Sequence, residues 1–245
     1  MKVLVISGGS SGIGLGCVEK FLNNGYIVYN LDINPLNINH ENYFYIKTDV
    51  CNPENILKSV EEIKNKSEKV DCLITSAGNH LSANIENTTD DDLNSIINLN
   101  ILGTFWLIKS IIPIMKKQGS GSIITLGSDQ SIIVKNNSTA YGLTKAATSS
   151  LTKSVALDYA QYNIRANCIA AGTIDTPLFR SAIEKYSKKS GISIDEIQKQ
   201  EAALQPLNKL GTKEDIASLA YFLASEEAKF ITGALISIDG GYTIK

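Results

Sequence analysis

Short apolar runs recur along the chain, and longer segments of helical spacing separate them. The runs are nearly continuous in apolar residues, whereas a strand with one face in water alternates apolar and polar positions. They therefore predict parallel strands that are buried on both faces. The predicted strands are Val3–Ile6, Ile27–Leu31, Tyr43–Ile46, Cys72–Thr75, Ile123–Leu126, Ile164–Ile169 and Leu235–Ile238.

The segments between these runs carry helical spacing or residues that commonly begin a helix, such as Asp90. The predicted helices are Gly12–Asn24, Pro53–Lys66, Asp90–Lys117, Ala140–Tyr162 and Lys213–Ser225. The alternation predicts an α/β fold, a doubly wound parallel sheet of about seven strands with helices on both faces. No Pro/Gly/Ser-rich linker divides the chain, so we expect a single domain over residues 1–245. Residues 176–206 interrupt the alternation, and we expect a substrate loop there.

Composition narrows the class of protein. Hydrophobic residues make up 43% of the 245 residues and charged residues 20%, which excludes a disordered or collagen-like chain. The net charge of -2, without a basic block, predicts no nucleic-acid partner. No apolar stretch approaches the roughly 18 residues of a membrane helix, so we expect no membrane partner. Four scattered cysteines without a CxxC pair are typical of reduced thiols, which predicts a cytoplasmic location.

A glycine-rich turn follows the first predicted strand and leads into a helix. Glycines let a backbone approach a pyrophosphate, and a helix N-terminus offers free N–H groups and a positive dipole end. Alone, such a turn is a weak signal, because a tight turn without a ligand has the same composition. The candidate cofactor-binding residues here are Gly8, Ser10, Ser11, Gly12, Ile13 and Gly14.

The second predicted strand ends at Asp32, and this carboxylate supports the interpretation of the glycine turn as a cofactor site. A carboxylate at this position can accept hydrogen bonds from an adenosine ribose, and it repels a 2′-phosphate. The nearby Ser10, Ser11 and Ile33 carry no positive charge that would attract such a phosphate. Taken by itself, Asp32 could be only a solvated residue at a strand end. After this turn, it predicts NAD as the cofactor in preference to NADP.

Tyr141 and Lys145 lie four residues apart on a predicted helix, so the phenol and the ammonium share one face. A phenol with a pKa of about 10 is a poor base at neutral pH, and a cation held beside it lowers that pKa. Tyr141 would then become a usable proton shuttle. Tyr/Lys pairs are also common on exposed helix surfaces, so this pair alone does not indicate a catalytic site.

Taken in order, these motifs resemble those of the short-chain dehydrogenase/reductase family, in its classical NAD(P)-dependent form, along essentially the whole chain. The matching positions are TGxxxGxG at Ser7–Gly14, the Asp after the third strand at Asp49 with Val50 beside it, NNAG at Thr75–Gly78, the family Asn at Asn100, the family Ser at Ser128, YxxxK at Tyr141–Lys145, PG at Ala171–Gly172, and the terminal Asp239–Gly241. Four positions depart from the family pattern: Ser7 replaces Thr, Thr75 and Ser76 replace the two Asn residues of NNAG, and Ala171 replaces Pro. None of the four catalytic positions is altered.

The resemblance implies a Rossmann-type fold and hydride transfer between a nicotinamide and a secondary alcohol or ketone. It implies that Tyr141 exchanges the hydroxyl proton, that Ser128 holds the substrate oxygen and that Asn100 positions a water for proton relay. Lys145 would lower the pKa of Tyr141 and bind the nicotinamide ribose, and no metal is needed. Beyond the glycine turn and Asp32, the implied cofactor contacts are Asp49, Val50, Ser76, Ala77, Gly78, Tyr141, Lys145, Gly172, Ile174 and Thr176.

The substrate is the least determined of these expectations. The candidate substrate-binding residues are Ser128, Gln130, Asn79, His80 and Asp175, whose polar groups suit several hydroxyls. The stretch from 128 to 176 is similar to that of the sugar and polyol dehydrogenases of the family, which favours a sugar or cyclic polyol. A 3-oxoacyl or hydroxysteroid substrate is the alternative within the enzyme class. A non-catalytic NAD-binding sensor or scaffold is the alternative of another class.

Two helices suggest assembly. Apolar residues cover most of the circumference of Asp90–Lys117, more than one sheet face can hide. The helix from Ala140 adds small and apolar positions that let a partner helix approach closely. We therefore expect a symmetric homo-oligomer, the homotetramer typical of the family that the chain resembles, with Trp106 and Val155 as candidate contact positions.

Overall fold

One parallel sheet organises the molecule. The computed structural model describes residues 1–244, and its strands are β1 (Val3–Ser7), β2 (Ile27–Asp32), β3 (Tyr43–Lys47), β4 (Cys72–Thr75), β5 (Gly121–Leu126), β6 (Ile164–Ala171) and β7 (Leu235–Ile238). Within these residues the strands pair in the order β3-β2-β1-β4-β5-β6-β7, with every neighbouring pair parallel. The doubly wound parallel sheet predicted from the sequence is confirmed.

Helices lie in the connections between the strands, except between β2 and β3. They are α1 (Gly12–Leu22), α2 (Pro53–Lys66), α3 (Asp90–Ile97), α4 (Gly103–Gln118), α5 (Thr139–Tyr159), α6 (Pro177–Ser190), α7 (Ile194–Ala203) and α8 (Lys213–Ala224). Local sequence signals set several of their starts. Asn52 caps α2 by accepting hydrogen bonds from the backbone N–H groups of Glu54 and Asn55, and Thr212 forms a capping box with Asp215 at α8.

Two apolar cores lie on opposite faces of the sheet. Helices α2, α4 and α5 cover one face, where the buried side chains include Ile56, Ile63, Leu107, Ile111 and Val155. Helices α1 and α8 cover the other face, where the buried side chains include Cys17, Phe21, Ile216 and Leu223. This double covering explains why the strands read as continuous apolar runs.

The strand order reverses between β1 and β4, which are neighbours although β2 and β3 separate them along the chain. In open α/β sheets, ligands bind outside the carboxyl ends of the strands at such a reversal. The fold therefore points to the segments that follow β1 and β4 as the centre of a binding site.

Residues Asp90–Gln118 form one continuous helical stretch, in which a π-helical turn at Asn98–Leu102 joins α3 to α4. By length and composition alone this stretch could cross a membrane, which corrects our expectation that no segment reaches that length. In the structure it is a core helix, because Leu107, Ile108 and Ile111 are buried against the sheet.

Residues 176–206 differ from the expected loop. They form α6 and α7, and each helix begins at a side-chain cap: Thr176 accepts a hydrogen bond from the N–H of Phe179, and Ser193 accepts one from the N–H of Glu196. The polar composition that suggested a loop belongs to exposed helix faces, since α6 buries only Ile183 and α7 only Ile197 among their described side chains.

Candidate functional site

The turn after β1 packs against the turn after β4. Gly8 has a φ of 70°, and a Cβ atom on it would lie 2.5 Å from the backbone nitrogen of Ala77. A side chain at this position would therefore push the two turns apart. Ser7 ties the same turns together: its carbonyl accepts a hydrogen bond from the N–H of Ser76, and its hydroxyl accepts one from the N–H of Ala77 at 3.4 Å. The Ser7 carbonyl and hydroxyl thus make a connection between the turns in the absence of the family Asn.

The Asn30 side chain forms hydrogen bonds with the glycine turn, a role that our sequence analysis missed. Its side chain is fully buried in β2, where Oδ1 accepts a hydrogen bond from the N–H of Gly9 at 3.0 Å. Its Nδ2 donates to the hydroxyls of Ser10, at 3.0 Å, and Tyr43, at 2.9 Å. The only available signal was a polar residue within a buried strand, which implies a partner without identifying it.

The Asp32 carboxylate lies at the carboxyl end of β2, beside the glycine turn. It accepts hydrogen bonds from the N–H of Ser10 at 3.0 Å and from the N–H of Asn34 at 2.9 Å. These two bonds fix the carboxylate at the carboxyl end of β2, the strand that pairs with β1. This is the position that the sequence predicted for a group contacting an adenosine ribose.

The N-terminus of α1 has the features of a pyrophosphate site. Gly12, at a φ of 51°, opens the helix, and within residues 1–244 no side chain caps its first N–H groups. Helices α2, α3, α6, α7 and α8 begin with a side-chain cap, whereas α4 and α5, like α1, begin without one in the described part of the chain. Free N–H groups at the positive end of a helix dipole bind phosphate, so these residues fit a dinucleotide cofactor.

Asn100 lies inside the π-helical turn and is buried. Its Oδ1 accepts a hydrogen bond from the N–H of Asn79, and its Nδ2 donates to the carbonyl of Asn79 and to the hydroxyl of Thr144. A Cβ on Gly78 would lie 3.2 Å from Asn100 Oδ1 and 3.9 Å from Lys145 Nζ, so the turn after β4 passes close to both side chains. Asn100 therefore joins the β4 turn to α5. The sequence could not show this π-helical geometry.

Ser128 follows β5 and is buried. Its hydroxyl donates to Asp129 Oδ1 at 2.8 Å and accepts a hydrogen bond from the N–H of Gln130 at 3.2 Å. Gln130 is also buried, and its Oε1 has no hydrogen-bond partner among the described residues. An unpartnered buried amide oxygen is costly, so this atom is suited to accept a hydrogen bond from a bound hydroxyl or amide.

Tyr141 and Lys145 share one face of α5, as predicted. The Lys145 ammonium donates to the Leu126 carbonyl at 2.7 Å and lies 5.6 Å from the centre of the Tyr141 ring. Burial raises the pKa of Tyr141 to about 12, a hydrogen bond with Ser128 opposes this rise, and the Asp129 charge adds to it. Burial lowers the pKa of Lys145 to about 8. Burial, Ser128 and Asp129 thus shift the pKa of Tyr141 here, and a lowering of this pKa by Lys145 stays a prediction.

His80 packs against Tyr141, with ring centres 4.6 Å apart and planes at 63°. Burial and, next, the positive charge of Lys135 lower the pKa of His80, so it is mainly neutral at pH 7. Asn79 precedes it, and its Oδ1 accepts a hydrogen bond from the N–H of His80. Of the predicted substrate residues, His80 directly contacts the proposed acid/base.

Asp175 has a different place from the one that we expected. Its carboxylate makes a bidentate ion pair with Arg180, at 2.8 and 2.9 Å. Both residues line a cleft beside the glycine turn, together with Ser10, Ser11, Gly12, Leu15, Thr176, Pro177, Thr212, Lys213 and Glu214. Asp175 thus lies among the predicted cofactor-binding residues, and Arg180 balances the charge of its carboxylate.

The remaining predicted positions occupy the same edge of the sheet or turns near it. Thr176 lies 3.5 Å from the position of a Cβ on Gly12, and its hydroxyl caps α6. Ile174 is buried and pairs with Gly211. A Cβ on Gly172 would lie 2.7 Å from the Cα of Asp239.

The two predicted positions after β3 differ in exposure. Asp49 is exposed and accepts a hydrogen bond from the N–H of Cys51. Val50, by contrast, is buried beside α4.

Residues 8–243 match a family model described as enoyl-(acyl carrier protein) reductase. A short chain dehydrogenase family protein from Francisella tularensis subsp. tularensis SCHU S4 is 40% identical, with both chains covered completely and a TM-score of 0.95. The chain belongs to the short-chain dehydrogenase/reductase family. An NAD-dependent glycerol dehydrogenase from Listeria innocua serovar 6a is 35% identical over 100% of this chain and 94% of its own.

Two further solved structures are similar to this chain over its whole length. A ligand-free aldohexose dehydrogenase from Thermoplasma acidophilum is 34% identical over 100% of this chain and 94% of that one, with a TM-score of 0.93. ElxO, solved with NADP bound, is 33% identical over 100% and 99%, with a TM-score of 0.90. The protein is thus an oxidoreductase that acts on CH–OH groups, and its fold binds a nicotinamide cofactor.

The arrangement suits proton exchange at one oxygen atom. A bound nicotinamide supplies a hydride acceptor or donor. Tyr141 carries a phenol proton, and the Ser128 hydroxyl lies within hydrogen-bonding range of the phenol. Lys145 and Asn100 both lie beside the β4 turn, which packs against the glycine turn that would hold the cofactor.

Proposed function

We propose that this protein oxidises or reduces a sugar or polyol at a secondary carbon, with NAD as the cofactor. The buried, unpartnered Oε1 of Gln130, two residues after Ser128, is the observation that carries the substrate class. A polyol offers a second hydroxyl to this atom while the first reacts between Ser128 and Tyr141. The glycerol and aldohexose dehydrogenases among the relatives support this substrate class.

The proposed preference for NAD rests on Asp32. Its carboxylate is oriented by Ser10 and Asn34, and a 2′-phosphate placed beside it would meet a like charge. Two cations do line the neighbouring cleft, which our sequence analysis missed. Each of them is already paired: Arg180 with Asp175, and Lys213 with Glu19 at 2.6 Å.

The test is a panel of polyols, aldoses and 3-oxoacyl thioesters assayed with NAD(H) and NADP(H), followed by the absorbance of the reduced cofactor. We expect turnover of a polyol or aldose, with NAD giving at least tenfold higher kcat/KM than NADP, or about 1.4 kcal/mol. Turnover confined to the thioester would favour the second candidate, a 3-oxoacyl reductase, which is supported by a 30% identical 3-oxoacyl-[acyl-carrier-protein] reductase from Chlamydia pneumoniae. Gln130→Leu should raise the KM for a polyol more than the KM for a simple secondary alcohol.

We also propose a homotetramer in the cytoplasm. Phe105 on α4 and Leu157 on α5 are 41% and 81% exposed, large apolar side chains for which a partner helix would be the natural cover. Val155, which we had considered for this contact, is buried in the chain's own core, and Trp106 is partly buried against it. The cytoplasmic location is supported by the four cysteines, all of which are free thiols in the structure.

A further inference from the structure

Asp129 is a buried carboxylate next to the proposed catalytic serine. It is 2% exposed, and its two oxygens have different partners. Oδ1 accepts the hydrogen of the Ser128 hydroxyl at 2.8 Å, and Oδ2 is 2.7 Å from the ammonium of Lys135. Lys135 lies on the segment between β5 and α5, and its Nζ is 4.4 Å from the centre of the Tyr242 ring. A buried carboxylate needs such a counter-charge.

A serine hydroxyl has one hydrogen to donate. When that hydrogen points to Asp129, Ser128 offers only lone pairs to a substrate oxygen that is gaining negative charge. A hydrogen bond to an ionised carboxylate is about twice as strong as a neutral one. The charge left on Asp129 therefore decides how readily Ser128 can redirect its hydrogen to the substrate.

We propose that Lys135 is a positioning residue for catalysis, which neutralises Asp129 so that Ser128 can turn its hydrogen to the substrate oxygen. This inference rests on the proposed function of Ser128 in alcohol oxidation or ketone reduction. Lys135 acts through Asp129 and does not contact the reacting atoms.

Neutralising Asp129 also favours the phenolate form of Tyr141. The charged or titratable groups around the phenol are Asp129 and Lys135 from the β5–α5 segment, Lys145 from α5 and His80 from the turn after β4. Among them, Asp129 is the negative group, and it raises the pKa of Tyr141. Removing the charge of Lys135 leaves Asp129 uncompensated, so the pKa of Tyr141 should move further upward.

The first experiment compares Lys135→Met with Lys135→Arg and measures kcat and KM against pH on the substrate that the panel identifies. We expect Lys135→Met to lower kcat about tenfold with a change in KM below about threefold, and to move the pH dependence of kcat upward. Lys135→Arg keeps the charge and should restore kcat to within about threefold of the original. Lys153→Met, at an exposed position of α5, is the matched control.

A double-mutant cycle with Asp129→Asn separates this role from direct substrate binding. If Lys135 acts through Asp129, then Lys135→Met should change kcat less than about twofold in the Asp129→Asn background. A tenfold loss that persists in this background would overturn the proposal. A rise in KM at constant kcat would overturn it as well, since Lys135 would then be a substrate contact.

A measurement without turnover keeps this inference separate from the proposed substrate. Tyrosine labelled with ¹³C at Cζ reports phenol ionisation in the NAD-saturated protein, and Tyr141→Phe identifies the Tyr141 signal. Lys135→Met should move its titration to higher pH, and should not do so when Asp129 is already Asn. If no alcohol is oxidised but this shift appears, the proposed substrate class fails and the role of Lys135 stands. If the signal does not move, the role of Lys135 is refuted.

Discussion

Replacing Asn30 by Ala tests whether a buried strand residue holds the cofactor-binding turn in shape. The substitution removes three hydrogen bonds: one from the N–H of Gly9 and one each to the hydroxyls of Ser10 and Tyr43. Each is worth about 1 kcal/mol net, so the free energy of unfolding should fall by about 3 kcal/mol. For a chain of this length, that loss lowers Tm by about 6–12 °C.

The same change should weaken cofactor binding. Gly9 and Ser10 would lose the contact that fixes their backbone, and fixing one residue costs about 1–2 kcal/mol, which is a factor of roughly 5 to 30 in affinity. Urea unfolding gives the stability and quenching of protein fluorescence by NADH gives the affinity. Asn94→Ala on the exposed face of α3 is the control. A stability loss below about 0.5 kcal/mol, the level of an ordinary surface change, would refute the reasoning. Unchanged NADH affinity in a destabilised variant would limit Asn30 to a structural role.

Four further outcomes are expected. Asp32→Ala should reduce the preference for NAD over NADP about tenfold in paired binding titrations, and tighter binding of NADP by the unmodified protein would contradict this. Tyr141→Phe should lower kcat about a hundredfold with NADH affinity retained, and substantial remaining activity would identify another acid/base group. Light scattering should give an oligomer that Phe105→Asp or Leu157→Asp dissociates, and an active monomer would refute the assembly. Burial raises the pKa of Cys17 from 9.0 to about 12, so its contribution to stability is present below pH 9.0 and is lost as pH rises toward about 12. Urea unfolding should show a decline of about 1.4 kcal/mol per pH unit from this thiol that Cys17→Ala removes.

The fold was predictable because its signals are local. Strands buried on both faces leave continuous apolar runs, and each predicted strand is found within two residues of its predicted ends. The glycine turn and Asp32 were equally visible, since both follow a strand directly. Residues 176–206 were not, because α6 and α7 each bury only one described side chain and therefore lack a strong apolar periodicity.

The groups that the sequence did not reveal depend on register between distant segments. Asn30 contacts the glycine turn because β1 and β2 pair with Ile6 opposite Asn30, and no spacing within the chain encodes that pairing. Asn100 reaches Asn79 and Thr144 because a π-helical turn shifts it relative to an ordinary helix. Such turns are common at functional sites, but the amino-acid composition does not predict where they occur.

The spacing of Tyr141 and Lys145 predicted a shared helix face correctly, and their electrostatic coupling stays a prediction. The Lys145 ammonium donates to the Leu126 carbonyl at the end of β5 and lies 5.6 Å from the centre of the Tyr141 ring. Besides burial, the groups that shift the pKa of the phenol come from the segment after β5: Ser128 lowers the pKa of Tyr141 and Asp129 raises it. If Lys135 sets how much of the Asp129 charge remains, control of the proposed acid/base extends from the YxxxK helix to this segment. A change in the residues after Ser128 should therefore alter the pH dependence of catalysis even when Tyr141 and Lys145 are unchanged.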